Sequence, residues 1–180
     1  MLDNNIPAEL QPDDKFSITL PSGANIALSI CHPTFQKWSG ADFLFSYGNK
    51  PILNYQNKPV FAELVIARML IDFGWEAVWV ESYGGTHFLN EMPTEWKLSP
   101  NSIKIPEDKE MILKNIWRTA KTTACFDVLT WKDDDILLCE AKNSGKDRLT
   151  KPQLKFIEGA ITCGVPISSL LIVEWKLNNI

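Results

Sequence analysis

The chain has 180 residues, 45% of them hydrophobic and 22% charged, which suits one soluble globular domain with a substantial core. Its net charge of −4 argues against coating nucleic acid by bulk electrostatics, while a local basic patch or a metal in an acidic pocket stays compatible with it. No apolar stretch approaches the ~18 residues of a membrane helix, and the opening residues lack the basic and apolar segments of a signal peptide, so a cytoplasmic protein is expected.

The first ~15 residues are polar and predict a loose segment. FSITL and NIALSI alternate on either side of PSGA, which predicts a β-hairpin. Residues 31 to 58 crowd aromatics and turn formers (Trp38, Phe43, Phe45, Tyr47, Tyr55, Gly48, Pro51) and support no assignment. Residues 1–58 are therefore read as an N-terminal extension, with the core at 59–180. Pro59 suits a first helical position, and VFAELVIARMLIDF is apolar all round until Gly74, which predicts a largely buried helix. WEAVWVES reads as a strand ended by Tyr83-Gly84-Gly85, and residues 86 to 105 as irregular. Pro106 opens a second helix, PEDKEMILKNIWRTAK, with acids in its first turn where the helix dipole favours them. ACFDVLTW and ILLCEAK are strands joined by an acidic turn. Thr150 and Gln153 form a T-x-x-Q capping box for a helix running to about Cys163, with Gly164 as its stop. SSLLIVEW is the last strand. The expected fold is α/β, a mixed sheet with helices packed on it.

The turn WKDDDI is where chemistry enters. A two-residue loop at Asp133-Asp134 and a four-residue loop from Lys132 to Asp135 give the same register. Either sets Trp131 across from Ile136, Leu129 from Leu138, Asp127 from Glu140, and Cys125 from Lys142; an odd-length loop would part the two carboxylates. Opposed carboxylates have Cβ atoms about 5 Å apart and repel, and an apolar layer beside them also strips their solvation. One must protonate, or a lysine must pair with both, or a divalent cation must bind between them. Lys142 brings one positive charge for two negatives, and Mg²⁺ or Mn²⁺, which take hard oxygen ligands, would complete the balance. These are the parts of a metal-assisted hydrolytic site; the plain alternative is a structural salt bridge at a hairpin end.

Asp127, twelve intervening residues, then Glu140-Ala141-Lys142 and a helix resemble the PD-(D/E)XK nuclease superfamily. The order helix, strand, strand, strand, helix, strand is similar to that family's restriction-endonuclease-like αβββαβ core, if residues 84 to 123 are an insertion. "EAKNSGKDRLTKPQ" most resembles the virus-type replication-repair nuclease branch, where an E-x-K strand leads through a Gly-Asp-Arg-Leu-like loop into a helix with an early glutamine. The chain departs from the family at Phe126, where the family has a proline. The resemblance implies that Asp127 and Glu140, with the Ala141 carbonyl, ligate Mg²⁺ or Mn²⁺, and that Lys142 positions the nucleophilic water. It also implies that Glu63 on the first helix holds a metal-bound water or a second ion, and that the family's helix glutamine is Gln153. Lys146, Arg148 and Lys151 would contact phosphates beside the site or else lie solvated. The implied activity is phosphodiester hydrolysis in nucleic acid, DNA rather than RNA, with a homodimer as one arrangement for cutting both strands. The alternatives are a catalytically silent binding or scaffold protein of the same fold and a defence component activated by a partner.

Elsewhere the residues suggest ordinary structure. The four scattered cysteines imply neither zinc nor disulfides but reduced core thiols. Asp133 to Asp135 suit an exposed turn, His32 and His87 are isolated, and Tyr83-Gly84-Gly85 lacks the setting of a phosphate loop. The seven tryptophans are expected mostly in the core.

Overall fold

Alternation in the first hairpin carries through to the fold. β1 (Asp14–Thr19) pairs antiparallel with β2 (Asn25–Cys31), with Ile18 across from Ile26 and the chain reversing through Gly23 at φ +90°. The computed structural model describes residues 5–41, 50–82, 86–93 and 102–178. The segment before β1, expected to be loose, is anchored from residue 5 on. Ile6 and Leu10 are buried, and the Trp75 indole donates to the Asn5 carbonyl at 2.5 Å. Polarity misleads there because two well-spaced apolar side chains suffice to pin a segment against a core.

The unassigned stretch supplies two short strands, β3 (Thr34–Lys37) and β4 (Leu53–Tyr55), and a third, β5 (Lys58–Val60), runs from its last residue into the segment expected to be helical. Between β4 and β5 the turn residues Gln56 and Asn57 both have positive φ (51° and 61°), the handedness that matches a tight hairpin to strand twist. This corrects the helix start. Pro59 lies in β5 opposite Asn54, where an edge strand tolerates its missing N–H, and α1 (Ala62–Asp72) begins later. As expected, α1 is buried on most of its surface, from Ala62 through Ala67 and again at Leu70.

β6 (Glu76–Glu81) follows. A short β7 (His87–Leu89) forms within the stretch expected to be irregular, pairing Phe88 with Val80. Pro106 caps α2 (Glu107–Ala120) rather than opening it. Then come β8 (Val128–Lys132), β9 (Asp135–Asn143), α3 (Lys151–Thr162) and β10 (Leu170–Leu177). The capping box is present in both directions, and Gly164 takes φ +88° after α3. The strand expected from Ala124 starts only at Val128. Phe126 leaves the ladder for the core, its ring 5.6 Å from that of Phe156.

The strands order as β5-β4-β3-β10-β9-β8-β6-β7, and β2 also joins β10, bringing β1 with it. β10 runs parallel to β2 through Leu171–Val173 and to β3 through Lys176–Leu177, so the break at Pro33 lets one strand edge serve two partners. β8 runs antiparallel to both of its neighbours, β6 and β9, whereas β9 and β10 are parallel. The sheet is therefore mixed, open and covered on both faces. α1 packs Leu64, Ile66 and Leu70 with Trp79, Leu137 and Val173 on one face. α2 and α3 pack Leu113, Ile116, Phe156 and Ile157 with Leu129, Leu138 and Ile172 on the other. Among the described residues, no helix is long and apolar enough to cross a membrane. Cys31, Cys125 and Cys139 are buried free thiols, but Cys163, expected in the core, is exposed because it ends α3 at the surface.

Candidate functional site

The hairpin register places the two carboxylates. Lys132 pairs with Asp135, Trp131 with Ile136, Leu129 with Leu138 and Val128 with Cys139, across the exposed turn in which Asp133 takes φ 53°. The ladder stops there, while β9 runs on beside β10 to Asn143. One step past the last pair, Asp127 faces Glu140. Its backbone is fixed by the Val80 N–H, which donates to the Asp127 carbonyl at 2.7 Å. Its side chain takes over the role of a strand carbonyl, because the Ala141 N–H donates to Asp127 Oδ2 at 2.9 Å. The two strands part at this point, and the gap between them is lined with charge.

Glu140 is 1% exposed. Its Oε1 accepts from Lys142 Nζ at 2.7 Å and from Gln153 Nε2 at 2.5 Å. Its Oε2, equally buried, has no hydrogen-bond partner among the described residues. The Gln153 oxygen accepts from the Thr150 N–H (2.9 Å), the Thr150 hydroxyl (3.1 Å) and Lys142 Nζ (3.3 Å). The α3 capping box and the Glu140–Lys142 pair thus share one amide, so the helix start orients the ion pair.

Glu63 reaches the site from the N-terminal turn of α1, 7% exposed, and its Oε1 is ion-paired with Lys50 Nζ. That ammonium also lies 4.9 Å from the Trp79 ring centroid and 5.8 Å from that of Phe61. Burial works against the charge of Lys50, yet Glu63, Asp127 and Glu81 hold its pKa up at about 12. Burial pushes the Asp127 carboxyl well above the usual carboxylate range, and the charges of Glu140 and Glu63 push the same way against Lys50. Burial raises Glu140 to about 7 despite the Lys142 ammonium beside it. Two carboxyls with strained anions therefore stand at one strand end.

The structure brings together Asp127, Glu140, Ala141, Lys142, Gln153 and, from the opposite side, Glu63. Ala141 is half-buried and lines a cleft of about 340 Å³ with Lys50, Glu63, Asn143, Lys146 and Asp147. A second cleft of about 280 Å³, on the α3 side, is lined by Lys142, Asp147, Arg148 and Glu174. Lys146 and Arg148 thus flank the site on its two sides, whereas Lys151, exposed at the start of α3, lines neither cleft. His32 is paired with two other acids, its Nδ1 2.7 Å from Asp13 Oδ1 and its Nε2 3.7 Å from Glu174 Oε2. Tyr83-Gly84-Gly85 falls outside the described residues.

Sequence reasoning missed Lys50 and Glu81. Glu81 carried a signal, since it is a carboxylate on a largely buried strand, as Glu140 is. Lys50 carried none, because it stands in an aromatic-rich stretch without periodicity.

Among the described residues, no three His, Cys, Asp or Glu side chains converge closely enough to hold an ion as they stand. The donor set nevertheless fits a hard divalent cation. The groups are carboxylate oxygens, their anions are destabilised by burial and mutual repulsion, and Glu140 Oε2 is a buried acceptor lacking a partner.

What the fold defines is a class: an α/β protein with an open mixed sheet and, among the described residues, three α-helices. Comparison of the chain with models of known protein families, with curated proteins and with solved structures finds no match.

Proposed function

We propose that the protein is a metal-dependent nuclease of PD-(D/E)XK type with a restriction-endonuclease-like core. The reading rests chiefly on the buried, half-satisfied carboxylate of Glu140, set opposite Asp127 and paired with Lys142. The order α1, β6, β8, β9, α3, β10 also follows that of the superfamily core, with β7 and α2 between its first two strands.

On this reading Asp127, Glu140 and the Ala141 carbonyl would hold Mg²⁺ or Mn²⁺, with Glu63 facing them. When bound, such an ion would supply Lewis acidity toward a phosphate oxygen and a more acidic water. Lys142 orients the attacking water and offsets charge growing on the phosphate in the transition state. Gln153 keeps Glu140 and Lys142 in register with each other, and Thr150 locks the glutamine. Lys146 and Arg148 contact the phosphates on either side of the scissile one, with DNA the favoured substrate. The protein acts in the cytoplasm, where its buried thiols stay reduced.

A second reading, a catalytically silent binding protein of the same fold, is favoured by one observation: both site ammoniums, Lys50 and Lys142, are already paired with carboxylates. Purified protein incubated with single-stranded, double-stranded and branched DNA and with RNA, each with Mg²⁺ or Mn²⁺, separates the two. Metal-dependent cleavage by the wild type that falls by about 10²-fold or more in Lys142→Ala supports the nuclease. Equal behaviour of the two proteins on every substrate supports the silent protein.

A further inference from the structure

Lys50 is the cation of the site that neither the sequence motif nor the proposed hydrolysis uses. Its ammonium is ion-paired with the buried Glu63, stacks over Trp79 and Phe61, and stands in the field of Asp127 and Glu81. Three acids from three separate elements (α1, β6 and the approach to β8) therefore act on one cation. A fourth, Glu140, presents a buried oxygen with no hydrogen-bond partner among the described residues. Lys50 lines the cleft that holds Glu63 and Ala141, whereas Lys142 lines the second cleft.

We propose that Lys50 is a tethered counter-ion of this carboxylate cluster and competes with a divalent cation for it. Without metal, the ammonium offsets the repulsion among Glu63, Asp127 and Glu81. When a divalent ion binds at Asp127 and Glu140, Lys50 is repelled by it and gives up part of its hold on Glu63. The metal thus displaces a positive charge already built into the fold, and its apparent affinity is lowered by that competition. This rests on the metal-site reading above and deepens it: Lys50 sets how much metal the site requires.

The test is Mn²⁺ binding, followed by titration calorimetry and by electron paramagnetic resonance of the free ion, with wild type, Lys50→Met and Lys50→Arg. Methionine keeps the apolar contact with the two rings and removes the charge; arginine keeps the charge. The expected result is Mn²⁺ binding about tenfold tighter in Lys50→Met, within the ~5- to 150-fold range of coupled sites, and close to wild type in Lys50→Arg. Thermal unfolding provides a second readout: Lys50→Met should melt below wild type in EDTA and gain more from added Mn²⁺. Equal or weaker Mn²⁺ binding by Lys50→Met than by wild type overturns the counter-ion role and leaves the metal site standing. Absence of Mn²⁺ binding in all three proteins overturns the metal-site reading and the competition with it.

Discussion

Glu140→Gln should stabilise the metal-free protein at pH 8 and lose that advantage at pH 5. The carboxyl is held at about 7 in the fold against 4.5 as an ordinary glutamate. At ~1.4 kcal/mol per pH unit, its ionised form is disfavoured in the fold by on the order of 3 kcal/mol. A carboxyl with a raised pKa binds its proton more tightly when folded. Its contribution is therefore most favourable below about pH 4.5, declines as pH rises toward 7, and stays at its least favourable above that. The amide keeps an acceptor for Lys142 and Gln153 but puts an NH₂ where Oε2 lacked a partner, a cost of about 1 kcal/mol at either pH. The expected net gain at pH 8 is about 2 kcal/mol, or roughly 4–8 °C in melting temperature for a chain of this size. The assay is urea denaturation in EDTA at both pH values. The difference between variant and wild type should shift by about 2 kcal/mol from pH 5 to pH 8. A difference that does not change with pH would show that the Glu140 anion is not strained, and the reasoning that leads to a cation would fail.

Added Mg²⁺ should raise the pH 8 stability of the wild type and leave Glu140→Gln unmoved, read from the same denaturation curves; stabilisation of both to the same extent would place the ion elsewhere. Gly159→Leu should destabilise by about 1–3 kcal/mol in urea, because a Cβ there would meet the Ala120 Cβ at 2.6 Å where α3 crosses α2; wild-type stability would contradict that close approach. A thiol reagent under native conditions should label Cys163 within minutes and spare Cys31, Cys125 and Cys139. Burial pushes the Cys31 thiol up to about 12 and the other two well above their usual value, and peptide mapping that finds rapid labelling of Cys139 would refute the core placement.

Local rules settled what local physics controls. The hairpin register followed from an even loop, since strand side chains alternate with period two, so Asp127 and Glu140 face each other wherever the hairpin lies. The α3 start followed from Thr150 and Gln153, whose reciprocal hydrogen bonds span three residues. The burial of α1 followed from apolar residues all round it. Pro59 went the other way, because a proline tolerated at a helix start is also tolerated on an edge strand, and only the Gln56-Asn57 turn, pairing β5 with β4, decided between them. Tertiary structure alone brought Lys50 to Glu63 and into the field of Asp127 and Glu81. It also decided that Gln153 turns its amide to Glu140 and that Glu140 keeps one oxygen without a partner among the described residues. These outcomes depend on how α1, α3 and the strand ends meet in space. Such contacts link residues far apart in the chain, and no periodicity or spacing encodes them.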